Sequence, residues 1–498
     1  MLWLGLHAPW LSLEAFCATL SAAEAARPVA LVAEHRVAAV NRAAAERGLK
    51  PGQKRATALA LAADLLVGQA DATRDAAALQ ALAHTALAFT PMVQVDDAHT
   101  VLLEVQASLR YFGGHARLLG RLRQALAPLG HRVQIASAPT PLGAALLCRW
   151  RDDLAEGAHA TNAGALRRLL DGAPVWLLGP GREHWEALQG MGLQTLSDLR
   201  VLPRAGLARR FGSGLLDDLD RALGQRPDPR TPLVPPPVFE SRLELFARAD
   251  TTAQVLAAAG VLLARLVAWA EARHARVAAF TLTMQHEPRR HATTAVATTL
   301  RIELAEPALD ATHLQLLLRE RLARVELAAP TLDLLLRCHE VMHGAPPNGE
   351  LFPTRQSQAE GLTRLLERLR ARLGDAQVLR VVPRADHRPE HACVLQPVHE
   401  PAATPLPMPP ANDLPLHRPT WLLPVPVALA ERGALPLFEG RELQLLSGPE
   451  RIESGWWDGA LAARDYFIAQ AADGALVWIY RERLPQPGPQ WFLQGRFG

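Results

Sequence analysis

The chain has 498 residues, too many for a single hydrophobic core, so several domains are expected. Hydrophobic residues make up 49% and charged residues 21%, which is typical of soluble globular proteins, and no apolar run approaches the ~20 residues that span a bilayer. The net charge of +3 does not by itself indicate a nucleic-acid-binding protein. We therefore expect no membrane association.

The cysteines and the N-terminal residues indicate the cellular compartment in which the protein is expected. The four cysteines are scattered and form no C-x-x-C pair, which argues against a disulfide framework or a cysteine zinc site: Cys17, Cys148, Cys338 and Cys393. No basic region precedes the first apolar stretch, so no signal peptide is expected. These features predict a cytoplasmic protein. Arginine supplies 51 of the 53 basic residues, which permits phosphate binding but is explained more simply by the codon bias of a GC-rich genome.

Residues 1–158 alternate strand-like and helical segments, the pattern of an α/β layer. Buried strands are predicted at Val29 to Val32, Val101 to Val105 and Arg132 to Ala136. Helices are predicted at Ala116 to Ala127 and Leu142 to Trp150. Residues 159–230 carry short helices separated by glycines and no strand signal. The run P-D-P-R-T-P-L-V-P-P-P at 227–237 is predicted to be a stiff, extended connector to the next region.

Residues 231–343 are predicted to form strand, helix, strand, strand, helix, strand, which is a split β-α-β module of the α+β class. Its helices are placed at Ala253 to Ala272 and Ala311 to Ala323, and its central strands at Phe280 to Met284 and Ala297 to Leu304. Three further segments complete the chain. They are an amphipathic helix within 344–382, a proline-rich linker at 383–427 and a β-rich domain at 428–498.

Acidic residues near a strand end are the first candidates for chemistry. Asp96 and Asp97 lie in a polar turn before the strand that carries Glu104. Two-metal phosphoryl transfer needs carboxylates that hold two ions about 3.5–4 Å apart. A solvated turn before the strand is the simpler explanation of the two aspartates. No Walker A loop, H-E-x-x-H, G-x-S-x-G or metal-spaced His/Cys cluster occurs, so no cofactor is predicted.

Two groups of residues are candidates for DNA binding. The Leu178-Gly179-Pro180-Gly181 turn could present backbone N–H groups to a phosphate, or simply start a helix. Arg289 and Arg290 in a hairpin, with Arg301 on the next strand, could neutralise phosphates without reading the sequence. A solvated hairpin tip is the alternative for these arginines.

A tethered apolar pair follows the split module. Asn348-Gly349-Glu350-Leu351-Phe352 comes after Pro346-Pro347, and its Leu-Phe pair could insert into a pocket of a partner protein. The alternative is that Phe352 packs against its own domain. A second copy of the pattern is Ala434-Leu435-Pro436-Leu437-Phe438, which is also compatible with a strand of the last domain.

Five stretches in the same order resemble the Y-family translesion DNA polymerases. They are L-S-L-E at 11–14, V-N-R-A-A-A-E-R-G-L-K-P-G at 40–52, V-L-L-E-V-Q-A-S-L at 101–109, I-A-S-A-P-T-P-L-G-A-A at 135–145 and M-G-L-Q-T-L-S-D-L at 191–199. The resemblance implies palm and fingers at 1–158, a helix-hairpin-helix thumb at 159–230 and a little finger at 231–343.

The same resemblance places other residues at the catalytic positions. Glu14 sets the register of the first strand, so Gly5 and His7 stand where the family carries acidic residues. His99 and Thr100 stand at the Asp-Glu metal-binding positions. In the fingers, the Tyr and Arg that hold the incoming triphosphate correspond to Arg42 and Ala45. The resemblance thus implies that the sites for two metal ions and a nucleotide are vacant.

This pattern is similar to the ImuB group of inactive Y-family homologues in bacterial mutagenesis cassettes. Four C-terminal segments strengthen the likeness: G-P-E-R-I-E-S-G-W-W at 448–457, R-D-Y-F at 464–467, W-I-Y-R-E-R at 478–483 and W-F-L-Q-G-R-F at 491–497. The group's role implies a non-enzymatic adaptor in translesion synthesis and SOS mutagenesis. Implied partners are the β sliding clamp through residues 348–352, an error-prone C-family polymerase, a RecA-like partner (ImuA), RecA itself, and DNA bound with moderate affinity.

Two other functions stay open from the sequence alone. The first is an active Y-family polymerase that uses displaced carboxylates such as Asp97 and Glu104. The second is a stand-alone DNA-binding repair factor that ignores the clamp. The adaptor is expected in the cytoplasm and on the nucleoid when it is engaged.

Overall fold

The structure is a computed structural model that describes residues 1–288, 296–343, 355–398, 418–484, 488 and 490–497. Its contacts divide the chain into two units, Met1–Arg372 and Leu373–Gly498. The first unit contains the three regions predicted for residues 1–343, and the second contains the β-rich end.

The beginning of the first unit alternates strands and helices, as predicted. In chain order its elements are β1 (Trp3–His7), α1 (Leu11–Cys17), α2 (Ala22–Ala25), β2 (Val29–Ala33), β3 (Arg36–Val40), α3 (Arg42–Glu46), α4 (Arg55–Leu61), β4 (Leu66–Gln69), α5 (Ala72–Leu87), β5 (Val93–Asp97), β6 (Thr100–Glu104), α6 (Leu109–Phe112), α7 (His115–Leu126), β7 (Gln134–Ala138) and α8 (Pro141–Trp150).

The first sheet has the strand order β5-β6-β1-β7, and all its pairings are antiparallel. β1 is central and nearly fully buried because both faces of the sheet are covered. Leu4 and Leu6 join a core with α5 and α7, whereas Trp3 joins a second core that includes α8. A smaller sheet, β3-β2-β4, pairs β2 antiparallel with β3 and parallel with β4.

Short helices without named strands follow, which confirms the prediction for residues 159–230. They are α9 (Ala163–Asp171), α10 (Gly179–Glu183), α11 (Trp185–Gly190), α12 (Leu196–Val201), α13 (Arg204–Phe211) and α14 (Gly214–Ala222). Leucines spaced by three or four residues, such as Leu215 and Leu219, form their buried faces. These faces share one core with α8, so the helices pack on the side of the first sheet that carries Trp3.

The split module is confirmed. Its elements are β8 (Phe239–Ala249), α15 (Thr252–Ala272), β9 (Ala275–His286), β10 (Ala297–Ala308), α16 (Ala311–Leu322) and β11 (Thr331–His343), followed by the predicted amphipathic helix α17 (Arg355–Leu373). The sheet order is β10-β9-β11-β8. A capping box between Thr251 and Gln254 starts α15.

By length and composition α15 is the one helix in the described residues that could cross a membrane. It instead forms the centre of a protein core. Leu262, Leu266 and Trp269 are at most 1% exposed and pack with the sheet of the split module and with α16. The apolar composition of α15 therefore reflects burial inside the first unit.

The second unit is β-rich, as predicted for residues 428–498. Its strands are β12 (Leu379–Pro383), β13 (Cys393–Pro397), β14 (Trp421–Arg432), β15 (Leu435–Phe438), β16 (Arg441–Glu442), β17 (Gln444–Ser454), β18 (Ala462–Gln470), β19 (Leu476–Glu482) and β20 (Trp491–Arg496). β12 and β13 form a hairpin, and the other strands form a seven-stranded sheet of order β16-β15-β14-β20-β19-β18-β17.

The expected linker at 383–427 is too long, because β13 and the first half of β14 lie within it. Pro424 and Pro426 fall in a stretch of β14 where the pairing with β20 is interrupted between Leu422 and Val427. Proline lacks a backbone N–H and is tolerated in a strand at such an irregularity. Part of the linker, residues 399–417, lies outside the described residues. The remaining domain boundaries stay predictions.

Candidate functional site

The positions that the family resemblance assigns to catalysis meet at one end of the first sheet. β1 pairs with β6 so that Gly5 lies opposite Leu102 and His7 opposite Thr100. His7 Nδ1 and Thr100 Oγ1 are 3.0 Å apart, within hydrogen-bond distance. The His99 ring lies edge-on to His7, with 6.4 Å between the ring centroids. The structure thus brings His7, His99 and Thr100 together.

Gly5 faces α8 at very short range. A Cβ atom built on Gly5 would lie 2.6 Å from the carbonyl oxygen of Ala144 and 2.7 Å from Sγ of Cys148. Real Cβ atoms do not approach backbone atoms this closely, so any side chain at position 5 requires α8 to move. Glycine on β1 therefore permits the close approach of α8. In this arrangement the position aligned with the first catalytic aspartate has no room for a carboxylate.

Arg149, in the last turn of α8, lies among the acidic residues of the site. Its Nε donates to Thr100 Oγ1 at 3.3 Å, and its Nη2 lies 3.1 Å from Oδ2 of Asp97. The same Nη2 donates to Asp96. The Arg149 side chain is only 12% exposed. A protein cation thus occupies the space beside the two aspartates.

A second arginine reaches the same carboxylate from the proline-rich segment after α14. Arg230 Nη1 donates to Oδ1 of Asp96 at 2.5 Å, and its Nη2 donates to Asp228 at 2.7 Å. The side chains of Asp96 and Arg230 are 11% and 12% exposed. Asp96 is therefore a partly buried member of an ion-pair network and not a solvated turn residue.

The network changes the proton affinity of its members. Burial lowers the pKa of His7 to about 4, and the cations Arg149 and Arg182 act in the same direction. Burial alone would raise the pKa of Asp97, but Arg149 and the backbone N–H of His99 outweigh it and hold this pKa below its usual value. At neutral pH the site thus contains a neutral imidazole and a carboxylate bound to arginine.

Glu104 lies at the opposite end of β6. It pairs with Trp3, four residues along the strand from the His7–Thr100 pair, which corresponds to about 13 Å. Its Oε1 accepts from the backbone N–H groups of Leu2 at 3.3 Å and Gln106 at 3.1 Å. The structure therefore does not bring Glu104 together with Asp97. In the part of the chain that the structure describes, no group of three or more His, Cys, Asp or Glu side chains is arranged to hold a metal ion.

The two fingers positions lie on the short helix α3. Arg42 is bound to Glu46 one turn later, with 2.8 Å between Nε and Oε1, and its side chain is 94% exposed. Ala45 offers no polar group. Neither position lies in the Arg149 network.

The proposed DNA contacts differ in their surroundings. Gly179 is exposed and begins α10, so the turn starts a helix. A Cβ on Gly181 would lie 2.1 Å from the carbonyl oxygen of Val175, so this glycine is required by packing. Arg301 lies on β10 and is bound to both Glu303 and Glu340 at 2.7 Å. Arg289 and Arg290 lie outside the described residues.

Of the two candidate clamp motifs, the structure describes the one at 434–438. Asn348, Gly349, Glu350, Leu351 and Phe352 lie outside the described residues. The alternative at 434–438 forms β15, which pairs with both β14 and β16. Phe438 packs against the core of the second unit, and Arg496 lies over its ring at 5.9 Å. This Leu-Phe pair is part of a sheet.

Arg149 and Arg230 are not among the site residues predicted from the sequence. Their contacts with Asp96 span 53 and 134 residues, so no local pattern reveals them. One signal was available for Arg149. It is the only charged residue in the helix P-L-G-A-A-L-L-C-R-W, which otherwise packs against the sheet. A lone arginine at the end of a buried helix needs an anionic or polar partner.

Comparison with known proteins supports the family resemblance. The impB/mucB/samB family model matches residues 11–149. Protein ImuB of Caulobacter vibrioides strain NA1000 / CB15N is 31% identical over 474 residues, which covers 91% of this chain and all of the relative. Protein ImuB of strain ATCC 19089 / CIP 103742 / CB 15 gives the same values.

Solved structures also match over a large part of the chain. A Dbh ternary complex and DinB from Sulfolobus solfataricus are each 14% identical, with TM-scores of 0.39 and 0.37. Each match covers 69% of this chain and all of the solved chain. The family match and the observed elements together confirm the predicted fold class, a Y-family-like multidomain α/β and α+β protein with a β-rich C-terminus. With an identity above 30% across the full length of its relatives, the chain belongs to the ImuB family, whose Y-family-like fold and name connect it to DNA damage and mutagenesis.

Proposed function

We propose that this protein is a non-catalytic adaptor in translesion DNA synthesis and SOS-induced mutagenesis. The observation that carries the proposal is the Arg149 guanidinium bound to Asp96 and Asp97, beside a Gly5 that α8 leaves without space for a side chain. Phosphoryl transfer by this fold depends on divalent cations that neutralise the charge of the triphosphate in the transition state.

Arginine cannot replace those ions in this position. Its positive charge is already neutralised by the two aspartates, and its planar donors bind carboxylates without offering open coordination sites. A metal ion that entered here would have to displace a partly buried ion pair. Asp97 and Glu104 do not form an alternative site, because Asp97 lies at the end of β5 beside Thr100, whereas Glu104 lies at the other end of β6.

We place the contact with the β sliding clamp in residues 348–352, with Leu351 and Phe352 as its apolar anchors. The strand pairing of 435–438 supports this choice, because Phe438 would have to leave its core to enter a partner's pocket. A short segment with two apolar anchors is sufficient for this mode of recognition.

The second unit is the proposed surface for the error-prone C-family polymerase and the RecA-like partner. Its connection between β17 and β18 exposes two adjacent tryptophans, Trp456 at 77% and Trp457 at 53%. Tryptophan is enriched in the energetic centres of protein interfaces, and exposed pairs are uncommon elsewhere.

DNA binding of moderate strength and without sequence preference completes the proposal, with the protein in the cytoplasm and on the nucleoid when engaged. The polymerase-like fold fits such binding. The charge of Arg301 is shared by Glu303 and Glu340, so it contributes less to phosphate attraction than a free arginine would.

Two assays on the purified full-length protein test the proposal. Primer extension on a primed template with Mg²⁺ or Mn²⁺ is expected to give no product. A pull-down with the β clamp is expected to retain the protein and to lose the Leu351→Ala/Phe352→Ala double variant. The matched control is Leu435→Ala, an exposed leucine in the alternative motif, which is expected to bind the clamp normally.

Each contrary result selects another function. Robust extension that disappears in the Asp97→Ala/Glu104→Ala variant indicates an active polymerase with displaced carboxylates. Tight, salt-sensitive DNA binding without clamp retention indicates a stand-alone repair factor.

A further inference from the structure

A groove of about 710 Å³ lies within the first unit, between β8 on one side and β4 and α5 on the other. Eight consecutive residues of β8, 239–246, line it, as do residues 67–69 of β4. Successive side chains of a strand point to opposite faces. A cavity lined by every residue in turn therefore runs along the edge of β8 and not over one of its faces.

Both strands are edge strands. β8 is the last strand in the order β10-β9-β11-β8, and β4 is the last in β3-β2-β4. Within the described ranges, β8 pairs only with β11 and β4 only with β2. The Gln69 carbonyl of β4 already accepts from Arg74 at 2.9 Å, so β8 offers the longer free edge. Unpaired N–H and C=O groups along such an edge can accept an added strand.

Arg265, a buried residue of α15, lines this groove. The residue is 5% exposed, and its Nη1 donates to Ser241 Oγ at 3.2 Å. No carboxylate among the described residues forms an ion pair with it within 4.0 Å. Burial lowers its pKa to about 10. A buried guanidinium whose contact is one neutral hydroxyl lacks the anion that such a charge needs.

The acidic residues around Arg265 do not supply that anion. Glu14, which lines a second cavity that Arg265 also borders, accepts from the backbone N–H of Arg132 at 3.0 Å. Asp71 caps the N-terminus of α5 by accepting from the N–H groups of Thr73 and Arg74. Glu240 is bound to Arg337 at 2.9 Å. Glu240 and Glu244 belong to the exposed face of β8, whereas Ser241, which contacts Arg265, belongs to the buried face. The position beside Arg265 is therefore open to a carboxylate from outside.

The remaining lining favours apolar side chains. Phe16 and Phe246 meet edge to face across the groove, with 5.2 Å between ring centroids. Phe239 and Trp269 lie on the same side as Arg265. An extended ligand on β8 would place alternate side chains among these rings and next to the guanidinium.

We propose that this groove binds an extended acidic segment of a partner protein, which adds a strand to the free edge of β8 and places one carboxylate on Arg265. Eight paired residues correspond to about 26 Å of extended chain. This site goes beyond the adaptor function proposed above, because it is separate from the clamp segment and from the exposed tryptophans of the second unit.

Peptide selection on the full-length protein tests the proposal. Random twelve-residue peptides displayed on phage are selected, and the enriched sequences are synthesised with a fluorescein label for polarisation measurements. We expect peptides in which one Asp or Glu is flanked by apolar residues at alternate positions. Their Kd is expected to rise at least tenfold on Arg265→Met and less than twofold on Arg242→Met, the control arginine on the groove rim that is already bound to Asp333.

Two peptide controls need no protein variant. Replacing the acidic residue by its amide is expected to weaken binding at least tenfold. N-methylation at alternate positions removes strand pairing but keeps the side chains, and is expected to abolish binding. Arg265→Met should fold, because an apolar side chain replaces a buried unpaired charge.

Three results overturn the proposal. The first is enrichment of peptides without acidic residues. The second is binding that survives Arg265→Met or N-methylation. The third is displacement of the peptides by a twelve-nucleotide oligo-dT whose own binding depends on Arg265, which would make the groove a nucleic-acid site.

Discussion

Arg149 on α8 and Asp97 at the end of β5 form an ion pair, with 3.1 Å between Nη2 and Oδ2. The same guanidinium binds Asp96, which in turn holds Arg230. The sheet end that carries His7 and Thr100 is thus occupied by the protein's own cations. This arrangement joins the first sheet, α8 and the segment after α14 into one electrostatic cluster.

The first prediction concerns the contribution of Arg149 to stability. Arg149→Gln leaves the partly buried Asp96 with Arg230 as its arginine partner and removes the guanidinium contact of Asp97. Fully buried pairs cost 3–5 kcal/mol to break, and exposed pairs contribute less than about 1 kcal/mol. Because Asp97 is partly exposed, we expect the free energy of unfolding at pH 7 to fall by about 2 kcal/mol, measured by urea denaturation.

The pH dependence and a control sharpen this test. The pKa of Asp97 is held below its usual value, so its stabilising contribution is present at neutral pH and is lost as the pH falls through the folded-state pKa. The difference between the variant and the parent should therefore shrink below about pH 4. Arg151→Gln removes an exposed ion pair with Asp153 and is expected to change stability by less than about 0.5 kcal/mol. An equal loss in both variants would contradict the assignment.

The second prediction concerns the closed position at Gly5. Gly5→Ala introduces a Cβ into the contact with Ala144 and Cys148 and is expected to lower the free energy of unfolding by about 2 kcal/mol, as overpacking does. Gly179→Ala is the matched control, since a Cβ there meets nothing within 4 Å, and it should change stability by no more than about 0.5 kcal/mol. Gly5→Asp is expected to be less stable than Gly5→Ala and to gain no primer-extension activity. A stable Gly5→Asp variant would show that position 5 is open.

Much of the fold follows from local sequence patterns. α15 was predicted to within one residue of its N-terminal end, and its capping box and apolar composition explain why. Aligning Glu14 with the family's glutamate predicts that Gly5 and His7 lie on the first strand. The structure has both on β1, where His7 contacts Thr100 at the end of the sheet.

The parts that the sequence did not reveal depend on contacts distant in the chain. Arg230 lies 134 residues from Asp96, so its role requires the tertiary structure. Pro424 and Pro426 suggested a linker, but they lie in β14 at an interruption of its pairing with β20. The interruption depends on how β14 pairs with β20, so the sequence of β14 alone does not reveal it.

The third prediction is a pH dependence that arises at His84. Burial lowers its pKa to about 4, whereas an unfolded histidine titrates near 6.5. As the pH falls below 6.5 the unfolded state takes up a proton first, so the folded state loses stability, by about 2 kcal/mol at pH 5. His84→Met removes this titration, and its free energy of unfolding should fall less between pH 7 and pH 5 than that of the parent protein. Parallel curves for the two proteins would rule out a neutral buried His84.

The last prediction tests the partner surface of the second unit. Trp456→Ser/Trp457→Ser removes two exposed rings, so the stability of the unit should change little. We expect at least tenfold weaker binding of the error-prone C-family polymerase in a pull-down or by calorimetry, because paired tryptophans commonly dominate an interface. Trp421→Ser, at an equally exposed position on β14, is the control and should leave binding unchanged. Clamp retention should be equal in all three proteins, since the segment proposed to bind the clamp, residues 348–352, lies elsewhere in the sequence. Loss of polymerase binding in the Trp421 variant alone would move the partner surface to β14.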